Sequence, residues 1–525
     1  MSEKRIASAP RLPGKRQMLV NAGSAWTFKL ASMVVSLGTT AIAVREYGLD
    51  GMGLILLASQ VATYAGLAEL GIPSSLSRRL PGLLAANNLS LAYRLCASCL
   101  LVLLCSAAVG LLLVPVALLM LPSAFAIPTE QKDTAGVLFA LTIGAIALQM
   151  PLRIGYGMLS SAHRFASYFA IELGALVVKM VAVVGCLYFF DPPVWVYVLL
   201  TILPILGAAL IEYRLGRSVL PGWRFSLSQV SRSSILELVS LSSAVMLGTL
   251  ASAVVLNGGG LVLAVFFAPR LVAEYTLPTV LAFSLMAFAA SASAFLSPIA
   301  SQLVGHDDRR LSQTVMLTSR YSALTAGAIL VAAAALGKVI LELWLGPETT
   351  PQTLEAMYHV LLIASLSGLL SIPGTTARGA LVAMGHHWRV AYIELITGMV
   401  GLVAGILLAL SLDAPPPLSV AVCFCLSNLA RGILLATLFS RSVESGAPFY
   451  QANLLSIAPA VLAGLSVVVA YAYWGEGGLV SALAVGVLAG TAFIIVGTFT
   501  AVEPHHRQEM LQRAARLLRA RRDPR

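Results

Sequence analysis

The sequence predicts an all-α polytopic membrane protein with about fourteen transmembrane helices, and three observations predict it. Apolar runs of about 20 residues, each long enough to cross the hydrocarbon core as a helix, recur along nearly the whole chain. Only 11% of the 525 residues are charged and 58% are hydrophobic, whereas a soluble domain carries about 25% charged residues to solvate its surface. Lysine and arginine crowd into alternate loops. The same composition excludes a water-soluble enzyme, a disordered chain and a collagen-like repeat. A secreted disulfide scaffold is excluded as well, because the six cysteines (Cys96, Cys99, Cys105, Cys186, Cys423 and Cys425) sit inside apolar runs and read as small buried hydrophobes.

A polar, basic stretch from Met1 to Gln17 precedes the first apolar run, which is too long for a signal h-region. The chain is therefore read as opening with a cytoplasmic tail, residues 1–18. Turn and charge signals then cut fourteen spans: 19–44, 54–76, 94–120, 136–158, 166–189, 194–213, 236–266, 272–298, 319–345, 355–383, 389–411, 418–439, 452–474 and 478–501. Spans 1 to 6 make an N-lobe (19–213), followed by a cytoplasmic linker (214–235), and spans 7 to 12 make a C-lobe (236–440). Spans 13 and 14 are an accessory pair (441–502), and residues 503–525 form a basic tail. That tail reads either as a frayed segment or as a short amphipathic helix on anionic lipid, with Met510, Leu511, Ala514, Leu517 and Leu518 on one side and Arg513, Arg516 and Arg519 among the polar positions.

An even number of spans puts both ends on one side, and both ends are basic. With that side cytoplasmic, 25 of the 34 Lys and Arg fall in inside segments, only Arg45, Lys132 and Arg270 fall outside, and Lys29, Arg153, Lys179, Lys338, Arg378 and Arg431 lie within spans. Translocating basic loops is disfavoured, so the asymmetry fixes both termini in the cytoplasm. The net charge of +11 is thus mainly a topology signal, not a nucleic-acid footprint.

An internal repeat sets the architecture. The segment Pro151-Leu152-Arg153-Ile154-Gly155-Tyr156-Gly157, followed by Ile171-Glu172-Leu173, recurs as Pro373-Gly374-Thr375-Thr376-Ala377-Arg378-Gly379, followed by Ile393-Glu394-Leu395, displaced throughout by 222 residues. The first copy covers spans 4 and 5 and the second spans 10 and 11, so the unit is six helices. Six is even, which makes the two lobes parallel and leaves spans 13 and 14 outside the duplicated core. Parallel six-helix lobes suit alternating access. Pro151, Pro204, Pro278, Pro298, Pro373 and Pro459 fall in or at the ends of spans and would bend them, although membrane helices carry proline commonly.

Charge inside a membrane is costly, so each embedded charge is a site candidate facing a cavity or a partner. Substrate-binding candidates are Lys29, Arg153, Lys179, Arg378 and Arg431; each could equally serve a structural ion pair between helices. Lys338 lies nearer the outer end of its span and could pair with Glu342 at i+4. Helical spacing places Thr142, Gln149, Arg153, Tyr156 and Ser160 on one face of span 4. Tyr168, Glu172 and Lys179 share a face of span 5, and Ser371, Thr375 and Arg378 share one of span 10. All seven aspartates lie in loops or tails, and the clearly embedded carboxylates are Glu172 and Glu394, with Glu69 and Glu237 of less certain depth. The balance is positive, which favours an anionic, phosphate-bearing ligand, since guanidinium matches phosphate oxygens in a bidentate way. Glu172 and Glu394, at equivalent repeat positions, are expected to serve in coupling or ion pairing.

Other chemistry is absent from the sequence. No Gly-x4-Gly-Lys-Ser/Thr occurs, Cys96-Ala97-Ser98-Cys99 has no partner motif, and His386-His387 occupies a short loop suited to solvent or headgroups rather than metal. No catalytic triad, bound cofactor or metal is expected, and the chain reads as a transporter and not an enzyme.

Three segments carry a family resemblance: Val44-Arg45-Glu46-Tyr47-Gly48-Leu49-Asp50-Gly51-Met52-Gly53, then Ala68-Glu69-Leu70-Gly71-Ile72-Pro73-Ser74-Ser75-Leu76-Ser77-Arg78-Arg79, then Pro151 through Gly157 to His163-Arg164-Phe165. On them the sequence resembles the multidrug/oligosaccharidyl-lipid/polysaccharide (MOP) exporter superfamily, most closely its Wzx-type lipid-linked oligosaccharide flippases. The resemblance covers spans 1 to 12, with spans 13 and 14 matching longer members. It implies flipping of a polyprenyl-diphosphate-linked oligosaccharide from the cytoplasmic to the outer leaflet of the cell inner membrane, for O-antigen, capsule or exopolysaccharide assembly. A cationic cavity would hold the diphosphate, and a proton or sodium gradient would supply the energy. The implied partners are the lipid-linked sugar, the bilayer, a polysaccharide polymerase and glycosyltransferases, with the chain itself a monomer. The alternatives in the same superfamily are a peptidoglycan-precursor (lipid II) flippase and an ion-coupled multidrug antiporter.

Overall fold

The computed structural model describes residues 15–290, 300, 303–304, 307–346, 349–411, 414–443, 449–474 and 478–501. Residues 1–14, Pro298 and the basic tail from Glu503 to Arg525 lie outside them, and so does the amphipathic helix expected in that tail.

The first helix, α1 (Lys15–Ala65), is 51 residues long, about 75 Å at 1.5 Å per residue if it were straight, well over twice the hydrocarbon thickness. It is broken at Gly48, whose φ of 67° and ψ of −176° are non-helical. Glycine reaches that conformation without the steric cost of a Cβ, and Gly48 sits where the first span was expected to end. A 3-10 turn (Gly66–Glu69) and α2 (Ile72–Ala85) follow. Thirteen helical segments among the described residues are long and apolar enough to cross a membrane; the first, Gly23–Ala85, is 63 residues long. Divided at Gly48 it supplies two passages, so thirteen segments amount to the fourteen expected spans.

The remaining helices are α3 (Leu89–Leu112), α4 (Val114–Leu119), α5 (Leu121–Ala124), α6 (Lys132–Gln149), α7 (Ile154–Ser161), α8 (Phe165–Phe189), α9 (Val194–Arg217), α10 (Arg232–Phe266) and α11 (Pro269–Ala289), continuing with α12 (Asp308–Leu345), α13 (Pro351–Ala383), α14 (His387–Ser411), α15 (Pro416–Ser442), α16 (Phe449–Trp474) and α17 (Gly478–Ala501). No strand occurs among the described residues. Local sequence starts several of them. Asn88 Oδ1 accepts from Leu91 N–H at the head of α3, and Asp307 Oδ1 accepts from Arg310 N–H at the head of α12. Pro351 and Pro416 open α13 and α15, where the missing N–H has no helical acceptor to lose. Ile396, Val400, Val403 and Leu407 stay exposed along one face of α14, as expected of a surface wetted by lipid.

The chain forms two compact units, Met1–Ala273 and Glu274–Arg525. In the first, α1 and α8 run in the same direction. Asn21 Nδ2 donates to His163 O at 3.3 Å, Phe28 packs on Phe169 with centroids 5.6 Å apart, and Tyr47 Oη donates to Pro192 O at 2.9 Å, a rising register along both helices. The second passage of α1 runs opposite to α10, with Tyr64 Oη donating to Ala253 O and Gly53 backing onto Pro269. Both relations follow from strict alternation of spans, because spans 1 and 5 have equal parity and spans 2 and 7 opposite parity.

The seventh span, α10, packs on α1, α2 and α3 inside this first unit. The segment leading to it is anchored there too: Tyr93 Oη donates to Pro221 O at 2.7 Å, Trp223 Nε1 donates to Tyr93 O at 3.3 Å, and Leu220 and Trp223 are buried in a core with Leu76, Leu95, Cys96 and Met158. Cys96, Cys99, Cys423 and Cys425 are buried free thiols as expected, whereas Cys105 is exposed.

Within the second unit α13 packs on α14, α15 and α12, and α16 and α17 pack on α12. The same pair of repeat helices meets through glycine in both units. A Cβ on Gly155 of α7 would lie 2.5 Å from Tyr213 N and one on Gly216 of α9 would lie 2.9 Å from Gly155 Cα; a Cβ on Gly374 of α13 would lie 2.6 Å from Gly432 Cα of α15. The repeat-equivalent prolines differ, however. Pro151 sits in a 3-10 turn (Met150–Arg153) that separates α6 from α7, while Pro373 lies inside unbroken α13. The single stripe expected for span 4 presupposes one continuous helix. The proline turn interrupts it, leaving Thr142 buried against Leu138 O while the Arg153 side chain is half exposed.

Candidate functional site

Each unit gathers charged side chains from corresponding spans near one end of its helices. In the first unit the 3-10 turn that Pro151 imposes presents Arg153, and Arg153 Nη1 lies 3.0 Å from Glu69 Oε2. Glu69 comes from the other 3-10 turn and is buried. Glu172 of α8 and Glu212 of α9 stand within electrostatic reach of each other and of Arg153. Glu212 is 4% exposed, and its Oε1 has no hydrogen-bond partner. Tyr168 of α8 stands within electrostatic reach of Arg153, Glu172 and Glu212, and its ring meets that of Tyr156 edge-on at 5.0 Å. One guanidinium thus faces three carboxyl groups.

In the second unit Arg378 Nε of α13 lies 2.9 Å from Glu394 Oε1 of α14. The pairing is by distance: Arg378 Nε and Glu394 Oε2 are buried without a hydrogen bond of good geometry. Arg431 of α15 is within electrostatic reach of both. Two guanidinium groups face one carboxylate here, and the Arg378 side chain keeps 43% exposure. Around it, Asn428 Nδ2 donates to Ser367 Oγ and Ser427 Oγ donates to Thr397 O, cross-linking α15 to α13 and α14.

Of the seven residues singled out from sequence, the structure groups Arg153 with Glu172 and groups Arg378, Glu394 and Arg431. Lys29 lies over the Trp26 ring, 5.8 Å from its centroid. Lys179 is seven residues beyond Glu172 on α8, about 10 Å along the axis, with no ion-pair partner among the described residues. Lys338 pairs with Glu355 Oε2 at 3.0 Å, across to α13 instead of along its own helix. Glu237 is a half-exposed partner of Arg79.

The structure encloses three further carboxyl groups among the described residues, Glu69, Glu212 and Glu274. Glu69, of uncertain depth from sequence, lies in a 3-10 turn just before two left-handed residues, Leu70 and Gly71. Glu212 stands one residue before the expected end of span 6, beside Tyr213 and Arg214, and was not among the residues singled out from sequence. Only the packing of Gly155 against its backbone shows it enclosed. A local excess of positive charge is found at the group Arg378, Glu394 and Arg431, not at the group around Arg153. Among the described residues no group of three or more His, Cys, Asp or Glu is placed to hold a metal ion.

No protein-family model matches the sequence, and no curated protein matches it. Solved structures do. The chain is similar to the lipid II flippase MurJ in an inward closed conformation, at 10% identity and a TM-score of 0.66, over 92% of this chain and 98% of that one. It is similar to an inward-facing multidrug resistance MATE family transporter of the MOP superfamily, at 14% identity and a TM-score of 0.60, over 79% and 96% of the two chains. A MOP superfamily transporter from Pyrococcus furiosus, described by a binding pocket of reversed polarity, matches at 14% identity and a TM-score of 0.55, over 82% and 94%. The chain is a multi-pass membrane protein with the fold of the MOP superfamily transporters, the fold that its own sequence motifs resemble.

Proposed function

We propose that the chain flips a polyprenyl-diphosphate-linked oligosaccharide from the cytoplasmic to the outer leaflet of the cell inner membrane by alternating access, supplying O-antigen, capsule or exopolysaccharide assembly. The observation that carries this reading is the group Arg378, Glu394 and Arg431, where two guanidinium groups face one carboxylate on three adjoining helices. Positive charge left uncompensated in a low-dielectric surround favours an anion, and the guanidinium fork matches phosphate oxygens. Arg378 is exposed enough to meet one. In this reading Lys29, Arg153 and Lys179 of the first unit assist in binding, and Glu172 and Glu394 tune or couple the arginines.

A second reading is favoured by one observation. The likeness to the lipid II flippase spans 92% of the chain, including length beyond what the multidrug transporters match. A peptidoglycan precursor also carries a polyprenyl diphosphate, so the second unit's arginines serve either cargo. The test is mass spectrometry of lipid-linked sugars, with leaflet assignment, in cells lacking the protein and in cells carrying Arg378→Ala. Accumulation of a polyprenyl-diphosphate oligosaccharide on the cytoplasmic face is expected. Accumulation of the peptidoglycan precursor would select the second reading. An unchanged profile with loss of cationic-drug resistance would select a multidrug antiporter.

A further inference from the structure

Helices α12 and α16 lie side by side in the second unit and run in the same direction. Asn453 Nδ2 donates to Met316 Sδ at 3.4 Å, a Cβ on Gly327 would lie 2.6 Å from Ala460 Cβ, and Tyr471 Oη donates to Ala335 O at 2.7 Å, so the register rises along both. Between the first two of these contacts stand Arg320, one turn beyond Met316, and Ser456, one turn beyond Asn453. Helix α17 closes the junction, where a Cβ on Gly497 would lie 2.8 Å from Leu324 Cδ2. At 3.6 residues per turn Arg320 projects within about 40° of Met316, Leu324 and Gly327, toward that junction.

The polar atoms gathered there lack partners. Asn453 and Ser456 are wholly enclosed, yet Asn453 Oδ1 and Ser456 Oγ accept no hydrogen bond, and Arg320 Nε is buried without an acceptor. Arg320 makes no ion pair among the described residues. Asn453 Nδ2 also donates to Phe449 O at 2.8 Å, and reversing the amide would set its oxygen against that carbonyl, so the group left to be satisfied is an acceptor. A guanidinium and a hydroxyl as donors, with an amide oxygen as acceptor, are costly to enclose unless a ligand completes them. Arg320 and Asn453 are each the second residue of an expected span, 319–345 and 452–474, at the ends expected to be cytoplasmic, where headgroups lie. Beside them on α16, Leu454 and Leu455 are exposed, as lipid contact requires.

We propose that Arg320, Ser456 and Asn453 bind the headgroup of an anionic bilayer phospholipid in the cytoplasmic leaflet, one that carries a hydroxyl beyond its phosphate. The guanidinium and the Ser456 hydroxyl donate to phosphate oxygens, and the headgroup hydroxyl donates to Asn453 Oδ1. The site lies on α12 and α16, apart from Arg378, Glu394 and Arg431 on α13, α14 and α15, so it holds a structural lipid and not the cargo. Its consequence is that the accessory helices α16 and α17 dock on α12 partly through a bound lipid, and that docking depends on the charge of the surrounding leaflet.

The test is calorimetric titration of the purified full chain in detergent with a short-chain phosphatidylglycerol, the matching phosphatidylcholine and inorganic phosphate. Saturable binding of phosphatidylglycerol is expected, with the other two weaker by about tenfold or more. Arg320→Ala should weaken phosphatidylglycerol binding by about tenfold, and Arg320→Lys by less, as a point charge without the fork. Ser456→Ala should weaken it as well, and Asn453→Asp, which sets a carboxylate against the phosphate, should abolish it; these two small changes carry the test should Arg320→Ala fail to fold. Arg309→Ala, an exposed arginine of the same helix, and Arg378→Ala should leave it in place. Binding that survives both Arg320→Ala and Ser456→Ala overturns the proposal. Loss in Arg378→Ala instead would put the lipid at the cargo group, and inorganic phosphate bound as tightly as the lipid would assign free phosphate; either overturns it. No saturable binding would leave these atoms as a cross-link between helices and overturn it too.

Discussion

Arg153 and Glu69 illustrate how one ion pair can matter without being deeply enclosed on both sides. The Glu69 side chain is 12% exposed and that of Arg153 is 47% exposed. Removing the arginine strands a buried carboxylate, whereas removing both charges does not. Arg153→Ala is expected to destabilise the protein by about 1–3 kcal/mol, the half-exposed arginine keeping the cost at the lower end of what a buried pair shows. Glu69→Gln combined with Arg153→Ala should recover much of that loss. Thermal unfolding in detergent of the two singles and the double checks it; strictly additive losses would show that the pair is not coupled.

At Arg378 the expectation concerns ligand more than stability. Arg378→Ala should lower affinity for inorganic pyrophosphate and for the lipid-linked cargo at least tenfold, the equivalent of about 1.4 kcal/mol for one charge-assisted contact. Arg378→Lys should recover part of it, as a point charge without the fork. Glu394→Gln removes the carboxylate that faces the two arginines and should strengthen pyrophosphate binding. Calorimetry on the purified protein reads all three, and binding unchanged in Arg378→Ala would remove this residue from the site.

Between elements, the decisive contacts are those with no room for a side chain. Gly155 against α9 and Gly374 against α15 bring backbones together, so a methyl group must push the helices apart. Gly155→Ala and Gly374→Ala are each expected to cost about 1–3 kcal/mol through overpacking. Gly174, on α8, has open space where a methyl group would stand, with nothing within 4 Å, and should tolerate alanine or gain up to about 1 kcal/mol in helix propensity. Gly48→Ala tests a different cause, because its backbone conformation, not space, excludes a Cβ; a loss of about 1–2 kcal/mol is expected. Melting temperatures of the four variants would separate packing from backbone strain. Little of this is readable in the sequence. The repeat marks Gly157 and Gly379 by identity, and Gly157 does meet α2 closely, a Cβ there lying 2.9 Å from Leu76 Cδ2, yet the backbone-to-backbone approaches use Gly155, Gly216, Gly374 and Gly432, because contact depends on which face of each helix meets its neighbour.

For the whole molecule, alternation of spans makes a prediction independent of substrate. Reporter fusions at both termini should read the same, cytoplasmic side, and a fusion at the 190–193 turn between α8 and α9 the opposite one. Termini on opposite sides would mean that the Gly48 break does not return the chain across the membrane. The span count was legible because bilayer thickness imposes a minimum apolar length, and that constraint is local in sequence. The passages through α1 were legible as two spans even though a single non-helical residue, Gly48, separates them.

By itself the sequence determined that the chain is a bundle of membrane-crossing helices and that Arg153, Arg378, Arg431, Glu172 and Glu394 are charges needing a partner or a ligand, and its internal repeat led us to expect a duplicated six-span unit. These follow from composition, period and the cost of charge in hydrocarbon, which act residue by residue. Only the tertiary structure decided who partners whom. It set Arg153 on Glu69, brought Glu172 and Glu212 within electrostatic reach of that arginine, and joined Arg378 to Glu394 beside Arg431. The first unit's group gathers residues up to 143 positions apart, Glu69 to Glu212, through a proline turn and glycine contacts that bring separate helices together. A pattern along the chain carries a charge's position on its helix, but the field that charge feels is a sum over neighbours in space.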